Sequence, residues 1–114
     1  MRDYTPSTVP GCRTPHLWLA DGRSLYDAMG RDYTLLRFDP TVDIAGLVDA
    51  AATRAVPLTV LDVRARDGIA PYRHVLLLSR PDFHVAWRGD GVPADPCALI
   101  DLVRGATWRP AGPA

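Results

Sequence analysis

The fold is decided by residues 33–63, which read YTLLRFDPTVDIAGLVDAAATRAVPLTVLDV. The aromatic and apolar run of residues 33–38 ends at Asp39-Pro40, a pattern typical of a strand. Residues 58–63 follow Pro57 and are apolar on both faces, as expected of a central buried strand. A strand–helix–strand unit of this length predicts two parallel strands joined by a right-handed crossover.

The segment between these two strands predicts a helix. Asp43 suits the N-cap position, because its carboxylate can accept hydrogen bonds from the free backbone N–H groups of the first turn. The apolar residues that follow are spaced i, i+3, i+4 and i+7, so they share one face that we expect to be buried. They are Ile44, Leu47, Val48 and Ala51.

Upstream of this unit we expect a short strand and a short helix. Residues 16–19 form a short apolar run, predicted to be a strand that ends at Asp21-Gly22. Ser24 begins a capping box with Asp27 in its third place, and Gly30 suits the C-terminal cap. These signals predict a helix over about residues 25–29.

Downstream, a polar loop over residues 64–71 leads to an antiparallel hairpin and a last helix. The hairpin strands are predicted over residues 72–80 and 83–87, with Pro81-Asp82 at the turn. Asp95-Pro96 then starts a helix with proline at its first position. Its buried stripe is predicted to contain Leu99, Leu102, Val103 and Ala106.

The order of these elements is that of a thioredoxin-like α/β domain, with a central mixed sheet flanked by helices. The 114 residues suffice for one compact domain and not for two. Residues 1–15 are rich in proline and threonine and are predicted to be an N-terminal arm or linker. Residues 16–107 are the predicted domain, and residues 108–114 a C-terminal tail.

Redox activity is not expected from this chain. A thioredoxin-type enzyme carries Cys-x-x-Cys between a strand and the following helix, where the helix N-terminus lowers the thiol pKa. Here residues 39–43 occupy that junction and contain no cysteine. Cys12 and Cys97 are 85 residues apart in the sequence, and we expect two free thiols.

The composition excludes several classes of function. The 13 basic residues are all Arg and the 13 acidic residues all Asp, and their even distribution leaves no basic patch for nucleic acid or anionic lipid. No apolar run approaches the roughly 18 residues that a membrane span needs. The N-terminus has no apolar signal core, so a cytoplasmic location is expected. The absence of Lys and Asn, with abundant Ala and Arg, is typical of a GC-rich bacterial genome.

No catalytic, cofactor-binding or metal-binding residue is predicted. His74 and His84 are separated by about 17 Å along the hairpin at about 3.4 Å per residue, so they cannot share a metal ion. The serines lack a Gly-x-Ser-x-Gly elbow. Gly89-x-Gly91 follows a strand but lacks the rest of a dinucleotide fingerprint. Arg88-Gly89-Asp90 is interpreted as the end of a strand and a turn.

Aromatic and arginine side chains are the candidates for an interaction surface. Large amphipathic residues are enriched where proteins contact one another. The alternative is that they belong to the core of a small domain, and for Trp18 and Trp87 this stays open. The predicted interface residues are Arg13, His16, Trp18, Tyr26, Trp87 and Arg88.

Several stretches together resemble the C-terminal thioredoxin-like domain of class A FAD-dependent aromatic hydroxylases, which act on phenols, hydroxyphenylpropionate and polyketide anthracyclines. The resemblance covers about residues 6–106. Residues 10–19, PGCRTPHLWL, are similar to the family's Pro-Gly-x-Arg-x-Pro-His-x-Trp-Leu junction. Residues 80–90, RPDFHVAWRGD, are the most specific match.

This resemblance implies a domain appended to an FAD-binding domain and a substrate domain that lie outside these 114 residues. In the family, NAD(P)H reduces the flavin, which then hydroxylates the aromatic ring. No catalytic residue can be transferred to this chain, which itself is expected to hold no cofactor. The implied partners are the FAD and substrate domains or a second subunit, with a homodimer as one form.

Two hypotheses of different classes follow. In the first, the chain is a non-catalytic accessory domain of an FAD-dependent aromatic-ring monooxygenase. In the second, it is a stand-alone thioredoxin-like protein-binding module without redox activity.

Overall fold

A computed structural model describes residues 8, 10–29, 31–65 and 72–103. Within these ranges the chain forms three helices and four strands. The helices are α1 (Leu25–Met29), α2 (Ala45–Thr53) and α3 (Pro96–Val103), and the strands are β1 (Tyr33–Arg37), β2 (Leu58–Asp62), β3 (Leu76–Ser79) and β4 (Val85–Gly89).

The strands form one mixed sheet in the order β2-β1-β3-β4. β1 and β2 are parallel, with Leu35 opposite Val60, as the strand–helix–strand pattern predicts. β3 runs antiparallel to β1, and β4 antiparallel to β3, so the hairpin joins the same sheet. The predicted α/β class, a central mixed sheet flanked by helices, is confirmed.

The sheet separates two hydrophobic cores, because neighbouring side chains of a strand point to opposite faces. Leu36 and Leu77 point to the first core, which α1 and the segment before it cover. Leu35 and Leu78 point to the second core, beneath α2 and α3. Leu35 and Leu36 are both fully buried, which places β1 at the centre of the molecule.

Aspartate and serine side chains lie at the starts of the helices, but the N-cap predicted at Asp43 is one residue too early, because α2 begins at Ala45 and has Ile44 at its N-cap. The Ser24 hydroxyl accepts a hydrogen bond from the Tyr26 N–H at 3.2 Å. Asp43 accepts one from the Ala45 N–H at 2.9 Å, and Asp95 one from the Ala98 N–H at 3.1 Å. Each bond satisfies an N–H group that lacks a partner within its own helix.

The predicted strand at residues 16–19 is wrong. The structure forms only isolated bridges there, from Trp18 to Ser24 and from Leu19 to Ala65. The chain reverses directly after Leu19, whose carbonyl accepts the Gly22 N–H at 2.9 Å. Gly22 has a φ of 93°, which glycine tolerates because it has no Cβ.

The central position predicted for β2 is also wrong, because β2 lies at an edge of the sheet. Its apolar residues Leu58, Val60 and Leu61 are partly buried, since both cores extend to this edge. A strand whose two faces are both covered is apolar on both faces, like a central strand, even when it pairs with only one neighbouring strand.

Two residues predicted to be buried on helices are exposed. Val48 is 38% exposed and Leu102 59%. In α2, Ala50 is buried instead, and in α3 the buried residue is Ile100. The two helices pack on each other as well as on the sheet, so their buried faces are rotated from the predicted stripes. The predictions for Gly30 and Ala106 fall outside the described residues.

The hairpin differs from the simple two-residue turn. Ser79 lies opposite Val85 rather than His84, so residues 80–84 form the loop. Ala86 is an extra residue, since the next pair is Leu78 with Trp87. Phe83, within the loop, has a φ of 65°, which is rare for a bulky residue.

Replacement of Gly89 by alanine is expected to destabilise the domain by about 1–3 kcal/mol, the usual cost of overpacking. A Cβ at this position would lie 2.5 Å from Cζ2 of Trp87, whose ring packs against the second core. Gly91→Ala is the matched control, because a Cβ there meets no atom within 4 Å. Denaturant unfolding measures both; equal stabilities would contradict the prediction.

Candidate functional site

The segment that precedes α1 is tied to the hairpin by backbone hydrogen bonds. The Gly11 N–H donates to the Val85 carbonyl, and the Val85 N–H donates to the Cys12 carbonyl, both at 2.8 Å. The Thr14 N–H donates to the Phe83 carbonyl at 2.7 Å. Residues 11–14 therefore run along the outer edge of β4 and its loop.

Side chains reinforce this attachment from three directions. The Thr14 hydroxyl, fully buried, is 2.8 Å from the Ser79 hydroxyl of β3. The Tyr26 hydroxyl donates to the Thr14 carbonyl at 2.6 Å, and the Tyr72 hydroxyl donates to the Pro15 carbonyl. Residues 14 and 15 are thus held at a fixed place on the first core.

Four aromatic rings follow one another across the surface beside this segment. Phe83 stacks on Tyr26 with ring centroids 4.9 Å apart. His16 lies 5.1 Å from the Tyr26 ring, and Trp18 meets His16 edge-on at 5.0 Å. We call Phe83, Tyr26, His16 and Trp18 the aromatic row.

The position of the row follows from alternation along residues 16–19. Leu17 and Leu19 are buried in the first core, so His16 and Trp18 point outward. Trp18 is 49% exposed and lies at the free end of the row. His16 Nε2 is 2.8 Å from the Ser24 hydroxyl, which limits rotation of the ring against Trp18.

Arg13 lies beside the aromatic row, whereas two other predicted interface residues lie elsewhere. The Arg13 guanidinium is 5.2 Å from the centroid of the Tyr26 ring, within the range of a cation–π contact. Trp87 packs against the second core, and Arg88 donates to the Thr8 hydroxyl at 2.7 Å. The structure thus brings together Arg13, His16, Trp18 and Tyr26.

Phe83 is the member of the row that the sequence does not predict. The sequence pattern places it in a strand, with no particular partner for its side chain. Pro81-Asp82 indicates a turn, but no local pattern decides whether Phe83 belongs to that turn or to the strand after it.

A small cleft of about 170 Å³ lies behind the turn after Trp18. It is bounded by that turn and by the end of β2, and its lining residues are Leu19, Ala20, Asp21, Arg23, Asp62 and Arg64. Asp21 accepts from the Arg23 backbone N–H at 3.0 Å and from its guanidinium at 2.9 Å. The hydrogen bond from the Arg23 backbone, and to a lesser extent the one from its guanidinium, lowers the pKa of Asp21.

Asp62 forms the second ion pair of the cleft. Its carboxylate accepts two hydrogen bonds from the Arg37 guanidinium, one of them at 3.1 Å. This hydrogen bonding lowers the pKa of Asp62 and raises the pKa of Arg37. Both carboxylates that line the cleft are therefore already paired with arginines of the chain itself.

Asp62→Asn is expected to change how the stability of the domain depends on pH. A carboxyl whose pKa is lowered on folding stabilises the native state above its ordinary value of 3.8, and that contribution disappears as the pH falls through the lowered pKa. The variant should therefore lose stability at neutral pH and show a flatter acid side of its stability profile. Thermal unfolding from neutral to acid pH measures this; Asp49→Asn, at an exposed position of α2, is the control.

The junction where a thioredoxin-type enzyme carries its cysteines performs a structural role here. Asp39 accepts hydrogen bonds from the Thr41 hydroxyl at 2.7 Å and from the Thr41 N–H at 3.0 Å, which lower the pKa of Asp39. Cys12 and Cys97 are both free thiols. Within residues 8, 10–29, 31–65 and 72–103, no three His, Cys or Asp side chains are grouped to hold a metal ion.

Comparison with known proteins connects this fold to one family. A family model described as the C-terminal part of aromatic-ring hydroxylases matches residues 7–110. The FAD-dependent monooxygenase opdD of Penicillium oxalicum is 34% identical over 80% of this chain and 18% of its own length. Phenol 2-monooxygenase of a Pseudomonas species is 32% identical over 92% of this chain and 20% of its own length.

Solved structures agree with this result. The rebeccamycin biosynthetic enzyme RebC with reduced flavin matches 94% of this chain with a TM-score of 0.84 and 42% identity. Aklavinone-11 hydroxylase with FAD and aklavinone matches 89% with a TM-score of 0.67 and 28% identity. The chain spans about a fifth of the length of these proteins. No helix among the described residues is long and apolar enough to cross a membrane.

Proposed function

The chain belongs to the family of C-terminal domains of aromatic-ring hydroxylases, and from this we propose that it is the non-catalytic accessory domain of an FAD-dependent aromatic-ring monooxygenase. It docks on the FAD-binding and substrate-binding portions of that enzyme through the aromatic row. The observation that carries the proposal is the family match over residues 7–110, on a chain that spans about a fifth of its relatives.

The connection between β4 and α3 supports a role without a bound flavin. A dinucleotide site needs an open glycine turn that leads directly from a strand into a helix N-terminus. Here the Trp87 ring fills the space in front of Gly89, and α3 begins only at Pro96. This connection does not fit the phosphates of a flavin dinucleotide, which supports an FAD held by other parts of the enzyme.

The exposed end of the aromatic row supports docking at this surface. Large aromatic side chains that lie rigidly at a surface are typical anchors of protein–protein contacts. His16 and Ser24 already restrict Trp18, so little conformational entropy is lost when a partner covers it. For the whole enzyme, the proposal also includes reduction of its flavin by NAD(P)H, a cytoplasmic location, a bacterial source and a homodimeric form.

A chimera of RebC tests the proposal. This chain replaces the C-terminal fifth of RebC, and we expect the product to fold, keep its FAD and take up oxygen on addition of a reduced nicotinamide. The chain alone should bind no flavin and take up no oxygen. Flavin absorbance and an oxygen electrode measure both. Activity of the chain alone would contradict the non-catalytic role, and a chimera that folds without docking the domain would favour a stand-alone binding module.

A further inference from the structure

Arg13 carries an exposed positive charge that no aspartate of the described chain neutralises. Within residues 8, 10–29, 31–65 and 72–103, its guanidinium forms no ion pair or hydrogen bond and contacts only the Tyr26 ring. Four other arginines are each paired with an aspartate, namely Arg23, Arg37, Arg54 and Arg80. Arg13 is therefore a cation beside the aromatic row that lacks a counter-charge.

The guanidinium of Arg13 has a defined place because the backbone on both sides of it is bonded to the hairpin. The Cys12 carbonyl accepts a hydrogen bond from the hairpin at 2.8 Å, and the Thr14 N–H donates one to it at 2.7 Å. The contact with Tyr26, 5.2 Å from the ring centroid, then positions the end of the side chain. An arginine held at a ring face still offers the N–H groups at its edge to a carboxylate.

The Tyr26 ring that carries Arg13 is itself fixed. Phe83 stacks on it at 4.9 Å with an angle of 12° between the ring planes, and its hydroxyl donates to the Thr14 carbonyl at 2.6 Å. Phe83 has a φ of 65°, a strained conformation for a bulky residue. Such strain persists only where the surrounding structure holds it, and it is frequent at binding sites. Arg13 thus lies on a rigid part of the surface.

A partner that covers the aromatic row also covers Arg13. A charge that leaves water without a counter-charge is strongly unfavourable. We propose that the flavin-containing portion of the enzyme supplies an aspartate or glutamate carboxylate that pairs with Arg13. This inference rests on the proposed docking through the aromatic row and adds the chemistry of the contact. Two parallel N–H···O bonds between a guanidinium and a carboxylate fix the orientation of the partner as well as its affinity.

Two aspartates are sequence neighbours of the row, but neither of them serves Arg13. Asp82 is paired with Arg80 at 2.6 Å. Asp27 follows Tyr26 in α1, where successive side chains point about 100° apart, and it forms no ion pair with Arg13. The described chain therefore leaves this cation to a partner. A single guanidinium matches the one charge of a carboxylate better than the nearly double charge of a phosphate.

Cross-linking in the RebC chimera tests the proposal directly, because this chain contains no lysine. Arg13→Lys introduces its only side-chain amine. A carbodiimide activates carboxyl groups, and an amine in contact then attacks the carboxyl carbon, so that an amide bond forms and one carboxyl oxygen leaves on the carbodiimide as a urea. Peptide mass spectrometry should find residue 13 of the variant joined to an aspartate or glutamate of the flavin-containing portion.

Arg73→Lys is the matched control for the cross-link. Arg73 is also exposed and is unpaired within the part of the chain that the structure describes. It precedes β3, whereas Thr14, next to Arg13, bonds to Ser79 at the other end of β3. The length of β3 therefore separates the two arginines. Arg73→Lys should not join the carboxylate that Arg13→Lys reaches.

The strength of the ion pair is measured by calorimetric titration of the full chain into RebC that lacks its own C-terminal fifth and retains FAD. Arg13→Glu should weaken docking by about 30-fold or more, because two carboxylates would then face each other. Arg13→Lys keeps the charge and should weaken docking by less than about fivefold. Arg73→Glu should leave docking unchanged. The cross-link decides the question if the truncated RebC does not fold.

Two outcomes would overturn this inference and leave docking on the aromatic row intact. In the first, Trp18→Ala weakens docking but Arg13→Glu does not. In the second, Arg13→Lys joins no carboxylate although docking is retained, and competition by inorganic phosphate would then assign the contact to a phosphate group. If neither Trp18→Ala nor Arg13→Glu weakens docking, the aromatic row is not the docking surface, and both this inference and the proposed docking are wrong.

Discussion

Leu77→Ala is expected to destabilise the isolated domain by about 2–5 kcal/mol, the range found when a fully buried leucine is truncated. Leu77 is 1% exposed and lies on β3 between its neighbours Leu36 of β1 and Arg88 of β4. Its side chain fills the first core, which α1 and residues 17–19 close. A domain of this size has about 5–15 kcal/mol of stability in total, so the loss is a large share.

Leu102→Ala is the matched control for this prediction. It makes the same chemical change in α3, but the Leu102 side chain is 59% exposed. Exposed substitutions usually change the free energy of unfolding by less than about 0.5 kcal/mol. Urea unfolding of both variants measures the difference. If the two variants were equally stable, the first core would not hold the domain together in the way described.

Local features of the fold were predictable from sequence because their causes are local. The Ser24, Asp43 and Asp95 side chains bond to backbone groups two or three residues away, so the pattern locates the starts of the helices to within one residue, α2 having Ile44 rather than Asp43 at its N-cap. The parallel pairing of β1 and β2 also follows from a short helical connection. None of these features depends on what lies far away in the chain.

Features set by distant contacts were not predictable in the same way. Residues 58–62 look like a central strand, yet whether another strand lies beside them is decided by the hairpin, which instead pairs with the other side of β1. Val48 and Leu102 satisfy helical spacing but are exposed, because the packing of α2 on α3 sets the angle of each helix. Hydrophobic periodicity shows which residues share one face of a helix, but it does not show towards which neighbour that face points.

The candidate site also contains some residues that the sequence predicts and others that only distant contacts determine. Arg13, His16, Trp18 and Tyr26 were predicted from their residue types, and the structure brings them together. Phe83 joins them over a sequence separation that no local pattern spans, through its ring contact with Tyr26 and the bond from Thr14. Trp87 packs, partly buried, against the second core because the alternation along β4, shifted by the extra Ala86, turns it to that side.

Trp18→Ala is expected to weaken docking of this domain on the flavin-containing portion of the enzyme by about 30-fold, which corresponds to about 2 kcal/mol for an interface anchor. The reason is that Trp18 lies at the exposed end of the aromatic row and contributes the largest exposed apolar side chain of that row. The measurement is calorimetric titration of the chain into RebC that lacks its own C-terminal fifth and retains FAD.

The stability of the isolated domain separates this effect from misfolding. Trp18 touches the His16 ring but lies outside both cores, so Trp18→Ala should change the free energy of unfolding by about 1 kcal/mol or less. Leu102→Ala removes an exposed apolar side chain from α3, remote from the row in sequence, and should leave docking unchanged. If it weakened docking as much as Trp18→Ala, the contact surface would lie on α3. If neither variant had an effect, the aromatic row would not be the docking surface.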